Sequence, residues 1–238
     1  MERKQSALSR FLFLYLPLTL ILLFLLFPFY WTFVTSIKPE QELYGRVVTY
    51  WPRSVTFSAY KSLFLDYNFL HPMGNSFLVA LITTLLTLFV SSLASYSFSR
   101  FRFRGRKAFM ILFLTNNMFP TVLLLIPLYA IMRNLGILYT PLALVLSYTT
   151  FTIPFSVWLL NGYLSDLPMS LEEAGMVDGA NRAQAFTRII LPVLVPCLIA
   201  TGVYIFMTSW NEYTFAVMFT NERSRTIPVS LKNLIGQL

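Results

Sequence analysis

Residues 11–37 read FLFLYLPLTLILLFLLFPFYWTFVTSI, a run of 27 positions without a charged side chain. A helix needs about 20 apolar residues to cross roughly 30 Å of hydrocarbon, and this run is longer. It lacks the alternation that marks a membrane-spanning strand, and it exceeds the apolar core of a signal peptide. Because a backbone in lipid must satisfy its own hydrogen bonds, the run predicts a helix that stays in the membrane as an anchor.

Four more stretches are uncharged over comparable lengths, at residues 67–99, 108–132, 134–165 and 189–211. With the first run they predict an all-α membrane protein, a polytopic bundle of five spans. The expected spans cover residues 11–35, 73–98, 108–131, 138–160 and 192–215. Residues 73–217 would form the core of the bundle, with a connecting loop at 161–191.

The composition excludes several classes of protein. Of the 238 residues, 56% are hydrophobic and 12% are charged, about half the charged fraction of a soluble domain. A cytosolic enzyme and a disordered tail are therefore excluded, and the single cysteine, Cys197, excludes a disulfide-stapled secreted domain. With one histidine, His71, and no P-loop motif, we expect no catalytic residue and no metal site in this chain.

The basic residues predict the orientation. A net charge of +8 is compatible with binding to nucleic acid or to anionic lipid, but the cations lie between the spans, which favours a membrane protein. The loop RFRFRGRK at 100–107 carries five basic residues and no acidic one, so it should face the cytoplasm. Residues 1–10 and 161–191 would then be cytoplasmic, and residues 36–72 and 218–238 extracytoplasmic.

The connection between the last two spans has helix signals of its own, in the segment SDLPMSLEEAGMVDGANR at 165–182. Ser170 and Glu173 have the spacing of a capping box, Asp178-Gly179 ends the helix, and Asn181 can cap the next one. Leu171, Ala174 and Val177 would make a short apolar stripe. Such a helix could lie on the lipid surface or dock on a protein. Its acidic residues favour the protein, because lipid-surface helices are usually basic.

The same segment resembles the EAA loop of ATP-binding-cassette importer permeases. Glu173-Ala174-Gly175, Gly179, Ile189 and Leu191-Pro192 have the spacing of that motif, with Gly175 where the motif has alanine. Elsewhere the chain is similar to the carbohydrate-uptake branch, and within it to the maltose-transporter G-type subunits. That similarity rests on Asn75-Ser76, Ala94-Ser95-Tyr96 running into Arg100-Phe101 and Arg104-Gly105-Arg106, Pro127-Leu128-Tyr129, Leu135-Gly136 and Trp210-Asn211-Glu212-Tyr213.

The resemblance implies a type I importer fold, which has six spans in the family; the last is expected to be absent from this chain. It also implies a multi-pass protein of a bacterial or archaeal plasma membrane that works with a second permease subunit, two cytoplasmic ATPase subunits and an extracytoplasmic solute-binding protein. ATP and Mg²⁺ would bind the ATPase, and no cofactor this chain. The ATPase-coupling residues implied are Glu172, Glu173, Ala174, Gly175, Asp178, Gly179, Ala180, Ile189, Leu191 and Pro192. Glu173 would pair with a basic group of the ATPase or hold the local turn.

Glu212 is a separate candidate, because it follows a run of 23 uncharged residues. An acidic residue at membrane depth is costly unless it is paired or hydrated, and it often marks a site. Trp210, Asn211 and Tyr213 beside it supply aromatic and polar groups of the kind that sugars bind. The substrate pathway is one interpretation, and a structural contact with the partner subunit is the other.

The resulting hypothesis is a permease subunit for a di- or oligosaccharide. Alternatives are a permease for another solute such as glycerol phosphate, a self-sufficient carrier or channel, and a membrane scaffold. A carrier usually shows inverted repeats, which this chain lacks, and a scaffold needs no acidic docking helix.

Overall fold

The computed structural model describes residues 11–235, which contain helices and no strand. The expected cytoplasmic tail at 1–10 and the last three residues lie outside this range. The chain divides into two compact units, with the boundary between Phe69 and Leu70. The all-α fold class is confirmed.

The first unit contains one long helix and two short ones. Helix α1 (Phe11–Ser36) is long and apolar enough to cross a membrane, as predicted. Helices α2 (Glu40–Leu43) and α3 (Ser58–Leu65) follow within the segment expected to be extracytoplasmic. There the buried Lys38 ammonium donates to the Thr49 carbonyl and lies 5.0 Å from the centre of the Trp31 ring.

Three long apolar helices build the second unit: α4 (Leu70–Arg100), α7 (Pro141–Asp166) and α9 (Arg182–Trp210). Helix α4 packs on both α7 and α9 through small side chains that let the backbones come close. The buried hydroxyls of Thr87 and Thr152 are 2.9 Å apart across the α4–α7 contact. With α1, these helices make four that are long and apolar enough to span.

The third predicted span, 108–131, is not one continuous helix. Helix α5 (Arg106–Met118) ends at Met118, and a 3₁₀ turn follows at Thr121–Leu124. Helix α6 (Leu125–Asn134) then continues, and the two parts of the span meet at an angle of 99°. Pro120 is the cause, since a proline disfavours the helical conformation of the residue before it. Phe119 is accordingly extended, with φ −76° and ψ 131°. Counted as one span, the bent pair brings the total to five.

The helix of the fifth span begins at Arg182, about ten residues before the expected start at residue 192. Helix α9 runs from Arg182 through a π-helical turn at Phe186–Ile190. We attribute the continuity past Pro192, which cannot donate a backbone hydrogen bond, to this wider turn. At the other end α9 stops at Trp210. Two short helices then follow, α10 (Thr214–Phe219) and α11 (Ile227–Ile235), and α11 is too short to span.

Two apolar clusters lie toward opposite ends of the second unit. One joins the start of α7 to α10 around Leu144, Tyr148, Phe215 and Phe219. The other joins the end of α7 to the start of α9 around Leu164, Phe186, Ile190 and Leu194. The segment between α7 and α9 emerges beside this second cluster.

Candidate functional site

The short helix expected between the last two long spans is present as α8 (Ser170–Val177). Its predicted capping box is wrong. Met169 occupies the N-cap position without a side-chain cap, and Ser170 is already the first helical residue. The backbone N–H groups of Glu172 and Glu173 donate instead to the Met169 carbonyl, at 3.0 and 3.1 Å.

The end of α8 follows the prediction more closely. Gly179 has a φ of +89°, a conformation that favours glycine, and it turns the chain away from the helix. The half-buried Ala180 closes the turn by donating its N–H to the Gly175 carbonyl at 3.0 Å. Asn181 then caps α9 in a reciprocal pair with Gln184, each bond 2.9 Å long. The capping role predicted for Asn181 is confirmed.

The outer face of α8 carries the predicted apolar stripe. Leu171, Ala174 and Val177 are all exposed, and 86% of the Val177 surface is accessible. Glu173 and Asp178 are exposed beside them. In the described part of the chain this face therefore remains free for another molecule.

Glu172, one of the residues implied for ATPase coupling, points the other way and lies outside the exposed face of α8. Its side chain is buried and accepts hydrogen bonds from two residues of α4, Arg100 Nε and, at 2.9 Å, Tyr96 Oη. The cause is helical geometry: Glu172 and Gly175 share the inner face of α8.

Gly175 and Ile189 hold α8 against α9. A β-carbon at position 175 would lie 2.2 Å from Ile189 Cδ1, so glycine is what lets the isoleucine side chain reach this backbone. The space beside Gly175 is thus filled by α9 of the same chain and is not open to an external partner. Leu191 is half-buried against the second apolar cluster, around Leu164 and Ile190, and Pro192 is exposed in α9.

At the opposite end of α9, Glu212 caps α10. Its carboxylate accepts the backbone N–H groups of Phe215 and Ala216, at 3.0 and 3.1 Å, and the Tyr148 hydroxyl at 2.9 Å. The contacts agree with the structural interpretation of Glu212, although the partners lie within this chain. Around it, Trp210 stacks on Phe206 with ring centres 5.6 Å apart, Asn211 donates to the Met207 carbonyl, and Tyr213 is exposed.

Two sets of residues that belong to the family resemblance also anchor helices to one another, a role that was not predicted for them. Asn75 Nδ2 donates to the carbonyls of Arg223 and Arg225, at 3.1 and 3.0 Å, and Ser76 Oγ accepts the Ile227 N–H at 2.8 Å. These bonds hold the start of α11 to the start of α4. Tyr96 and Arg100, which bind Glu172, are the other set. Their spacing of four residues, which places them on one face of α4, was the available signal.

Comparison with known proteins shows the family to which this chain belongs. Residues 89–235 match the model of the family described as "Binding-protein-dependent transport system inner membrane component". The inner membrane ABC transporter permease protein YcjP of Escherichia coli is 37% identical over 239 aligned residues, covering 99% of this chain and 85% of that protein. The diacetylchitobiose uptake system permease protein DasC of Streptomyces coelicolor is 34% identical over 87% of this chain and 75% of its own length.

Two further proteins extend the likeness. The trehalose/maltose transport system permease protein MalG of Thermococcus litoralis is 37% identical, over 87% of this chain and 74% of its own length. A crystal structure of a bacterial ABC transporter that imports the acidic polysaccharide alginate contains a chain that superimposes with a TM-score of 0.78. That chain is 26% identical, and the match covers 94% of this chain and 79% of the other. The chain therefore belongs to the binding-protein-dependent transport system inner membrane components, the multi-pass permease subunits of ABC importers, which work with an ATPase and a binding protein and are not catalytic enzymes themselves.

Proposed function

We propose that this chain is the permease subunit of a sugar importer and forms half of the translocation pathway with a second, different permease. The support for a sugar is the set of relatives named for diacetylchitobiose and for trehalose and maltose, together with the alginate importer. A non-sugar solute such as glycerol phosphate is the alternative. A self-sufficient carrier does not fit a family whose members work with an ATPase.

We propose further that α8 is the coupling helix, onto which one of two ATPase subunits docks. The observation that carries this proposal is the exposed face of α8, with an apolar stripe flanked by Glu173 and Asp178, on a helix whose other face is anchored to α4 and α9. Closure of the ATPase on ATP would pull α8 and tilt the bundle toward the outside, and hydrolysis would return it.

The orientation proposed for the protein agrees with this docking. The contact between Arg100 and Glu172 brings the basic loop at 100–107 and α8 to the same end of the second unit. If the basic loop faces the cytoplasm, α8 faces it as well, where an ATPase can reach it. The N-terminus would then be cytoplasmic, and the segments at 36–72 and 218–238 extracytoplasmic.

For the substrate pathway we propose Trp210, Asn211 and Tyr213 as contacts at the outer end. Glu212 would act there by holding α10 in place, because its carboxylate is already occupied by two backbone N–H groups and Tyr148. This role is distinct from coupling, since these residues lie at the end of α9 remote from α8.

The docking surface can be tested at Val177, because this side chain is exposed and a change there should leave the fold intact. We expect Val177→Asp to abolish co-purification of the ATPase with the permease, because it places a charge in the apolar stripe. Val55→Asp, at an exposed valine of the first unit, is the matched control and should retain the ATPase. Gly179→Arg is a weaker test, since its φ of +89° strains any other residue.

Cysteine cross-linking gives an independent check. Cysteines at Ala174 and Ala180, in a background where Cys197 is replaced, should cross-link to the ATPase in intact cells. Retention of the ATPase by Val177→Asp, or labelling of position 174 from outside the cell, would show that α8 is not the docking helix.

A further inference from the structure

We propose that the buried ion pair between Glu172 and Arg100 is the joint that transmits movement of α8 to α4. Both are positioning residues, which touch neither the ATPase nor the solute. The inference rests on the proposed function, because it assumes that the ATPase binds the outer face of α8.

The geometry gives Glu172 a complete set of partners. One carboxylate oxygen accepts from Arg100 Nε and the other from the Tyr96 hydroxyl at 2.9 Å. The relative exposure of the Arg100 and Glu172 side chains is only 6% and 9%. A charge pair so enclosed is screened little by water, and its hydrogen bonds are directional as well as strong.

Arg100 adds a second connection. Its Nη2 donates to the carbonyl of Leu167, just after the end of α7, at 3.2 Å. The last residue of α4 is thus hydrogen-bonded both to α8 and to the segment that leads into it. A displacement of α8 therefore acts on α4 and on the end of α7 together.

The other anchor of α8 has a different character. Gly175 meets Ile189 through an apolar contact, which has no preferred direction and permits sliding. Among the described side chains of α8, Glu172 is the one that hydrogen-bonds outside its own helix. Because α4 is 31 residues long and packs on α7 and α9, a pull at Arg100 reaches both of these helices.

Stability alone does not require this arrangement. A buried ion pair can often be replaced by apolar residues of similar volume without loss of stability, whereas removal of one partner leaves an uncompensated charge. The pair between Arg225 and Glu222 provides a contrast. Its atoms are 3.4 Å apart, 93% of the Glu222 side chain is exposed, and such a pair contributes little.

The test uses the complete transporter in liposomes, with its cognate binding protein purified from the same cells together with the solute it carries. ATP hydrolysis is measured with and without the binding protein. In Glu172→Gln, whose shape is conserved, we expect stimulation by the binding protein to fall about tenfold, within the usual range of coupling between sites. The ATPase should still co-purify, because the outer face of α8 is unchanged.

Three companion variants define the outcome. Arg100→Gln combined with Glu172→Gln should lose about as much stimulation as either single variant, because the two residues act as a unit. Tyr96→Phe, which leaves no buried charge unpaired, should lose about twofold and covers the case in which Glu172→Gln fails to assemble. Glu222→Gln, in the exposed pair, is the control and should behave as wild type.

Normal stimulation of ATP hydrolysis by the binding protein in both Glu172→Gln and Tyr96→Phe would overturn the proposal that this ion pair transmits the movement. So would loss of the ATPase from an assembled Glu172→Gln permease, since Glu172 would then belong to the docking surface. Failure of the proposed function looks different: the ATPase would remain bound in Val177→Asp, or the binding protein would not stimulate the wild-type transporter.

Discussion

Ile189 occupies the space where a side chain of residue 175 would begin, with its Cδ1 atom 2.2 Å from the position of a β-carbon on Gly175. The contact joins α8 to the first turns of α9, next to the buried Ile190 and Phe186. Glycine costs helix stability at position 175, but it allows α8 to lie directly on the helix that follows it.

Gly175→Ala should therefore have a small net effect on stability. Alanine gains about 1 kcal/mol of helix propensity, and moving the Ile189 side chain to another rotamer costs about 0.5–1.5 kcal/mol. Shortening the isoleucine as well, in Gly175→Ala with Ile189→Val, should show a favourable coupling of about 1 kcal/mol, because the new methyl group replaces the lost one. Unfolding by denaturant in detergent measures each free energy. Gly162→Ala, in α7 with nothing within 4 Å, is the control and should show no coupling to Ile189.

Glu212→Ala should destabilise the end of the second unit where α10 meets α7. It leaves the N–H groups of Phe215 and Ala216 and the Tyr148 hydroxyl without their partner, at a cost of about 2 kcal/mol. Tyr148→Phe removes one of these bonds and should cost about 1 kcal/mol. Thermal unfolding measures the loss. Transport should suffer while the ATPase still co-purifies, and a detached ATPase would contradict the assignment of Glu212 to the outer end. Glu222→Ala, at an exposed carboxylate, should have little effect.

The hydroxyl pair between α4 and α7 predicts an asymmetric response. Thr152 donates to the Tyr148 carbonyl at 3.0 Å, and a hydroxyl has one hydrogen, so Thr87 must be the donor between the two threonines. Thr87→Val should then lower the free energy of unfolding by about 0.6 kcal/mol, the average for hydrogen bonds between helices in a membrane. Thr152→Val leaves the Thr87 hydroxyl buried without its acceptor and should cost more, about 1–2 kcal/mol. Equal costs for the two variants would show that the donor assignment is wrong.

Glu42, in the first unit, predicts a dependence on pH. The hydrogen bond from the Thr49 hydroxyl is the main reason that the pKa of Glu42 lies below the ordinary value of 4.5. Desolvation raises this pKa, but the hydrogen bond from the Arg53 backbone N–H and the positive charges of Lys38 and Arg53 lower it further. A lowered pKa in the folded state adds stability above the unfolded value, which is lost as the pH falls through the folded value. Wild type should therefore unfold at a higher temperature than Glu42→Gln at pH 7. The difference should shrink as the pH falls through the folded pKa, and it should vanish once the carboxyl group is protonated in both the folded and the unfolded state. A difference that grows as the pH falls would contradict the sign of the shift.

Much of the secondary structure could be predicted because its causes are local. Uncharged runs located the long apolar helices, Asn181 capped α9 as expected, and Asp178-Gly179 ended α8. The bend after Met118 also has a local cause, since Pro120 acts on the residue just before it. The helix that Asn181 caps was expected to be separate from the fifth span; the two are continuous because a π-helical turn carries the helix into Pro192.

The orientation of side chains on these helices could not be obtained in the same way. A short helix can present either face to its neighbours, and the choice depends on residues that are distant along the chain. Glu172 turns inward because Arg100, 72 positions earlier, lies at the end of α4, where its buried guanidinium group needs a negatively charged partner. Glu212 is occupied because Tyr148, 64 positions earlier, reaches it from α7.

The amino-acid sequence by itself determined which stretches of the chain form long apolar helices, because a missing charge and a capping residue act over a few neighbouring positions. Only the tertiary structure decided which carboxylates are free to meet another molecule. Burial of a charge depends on partners that folding brings together, and Glu173 stayed exposed while the adjacent Glu172 was enclosed.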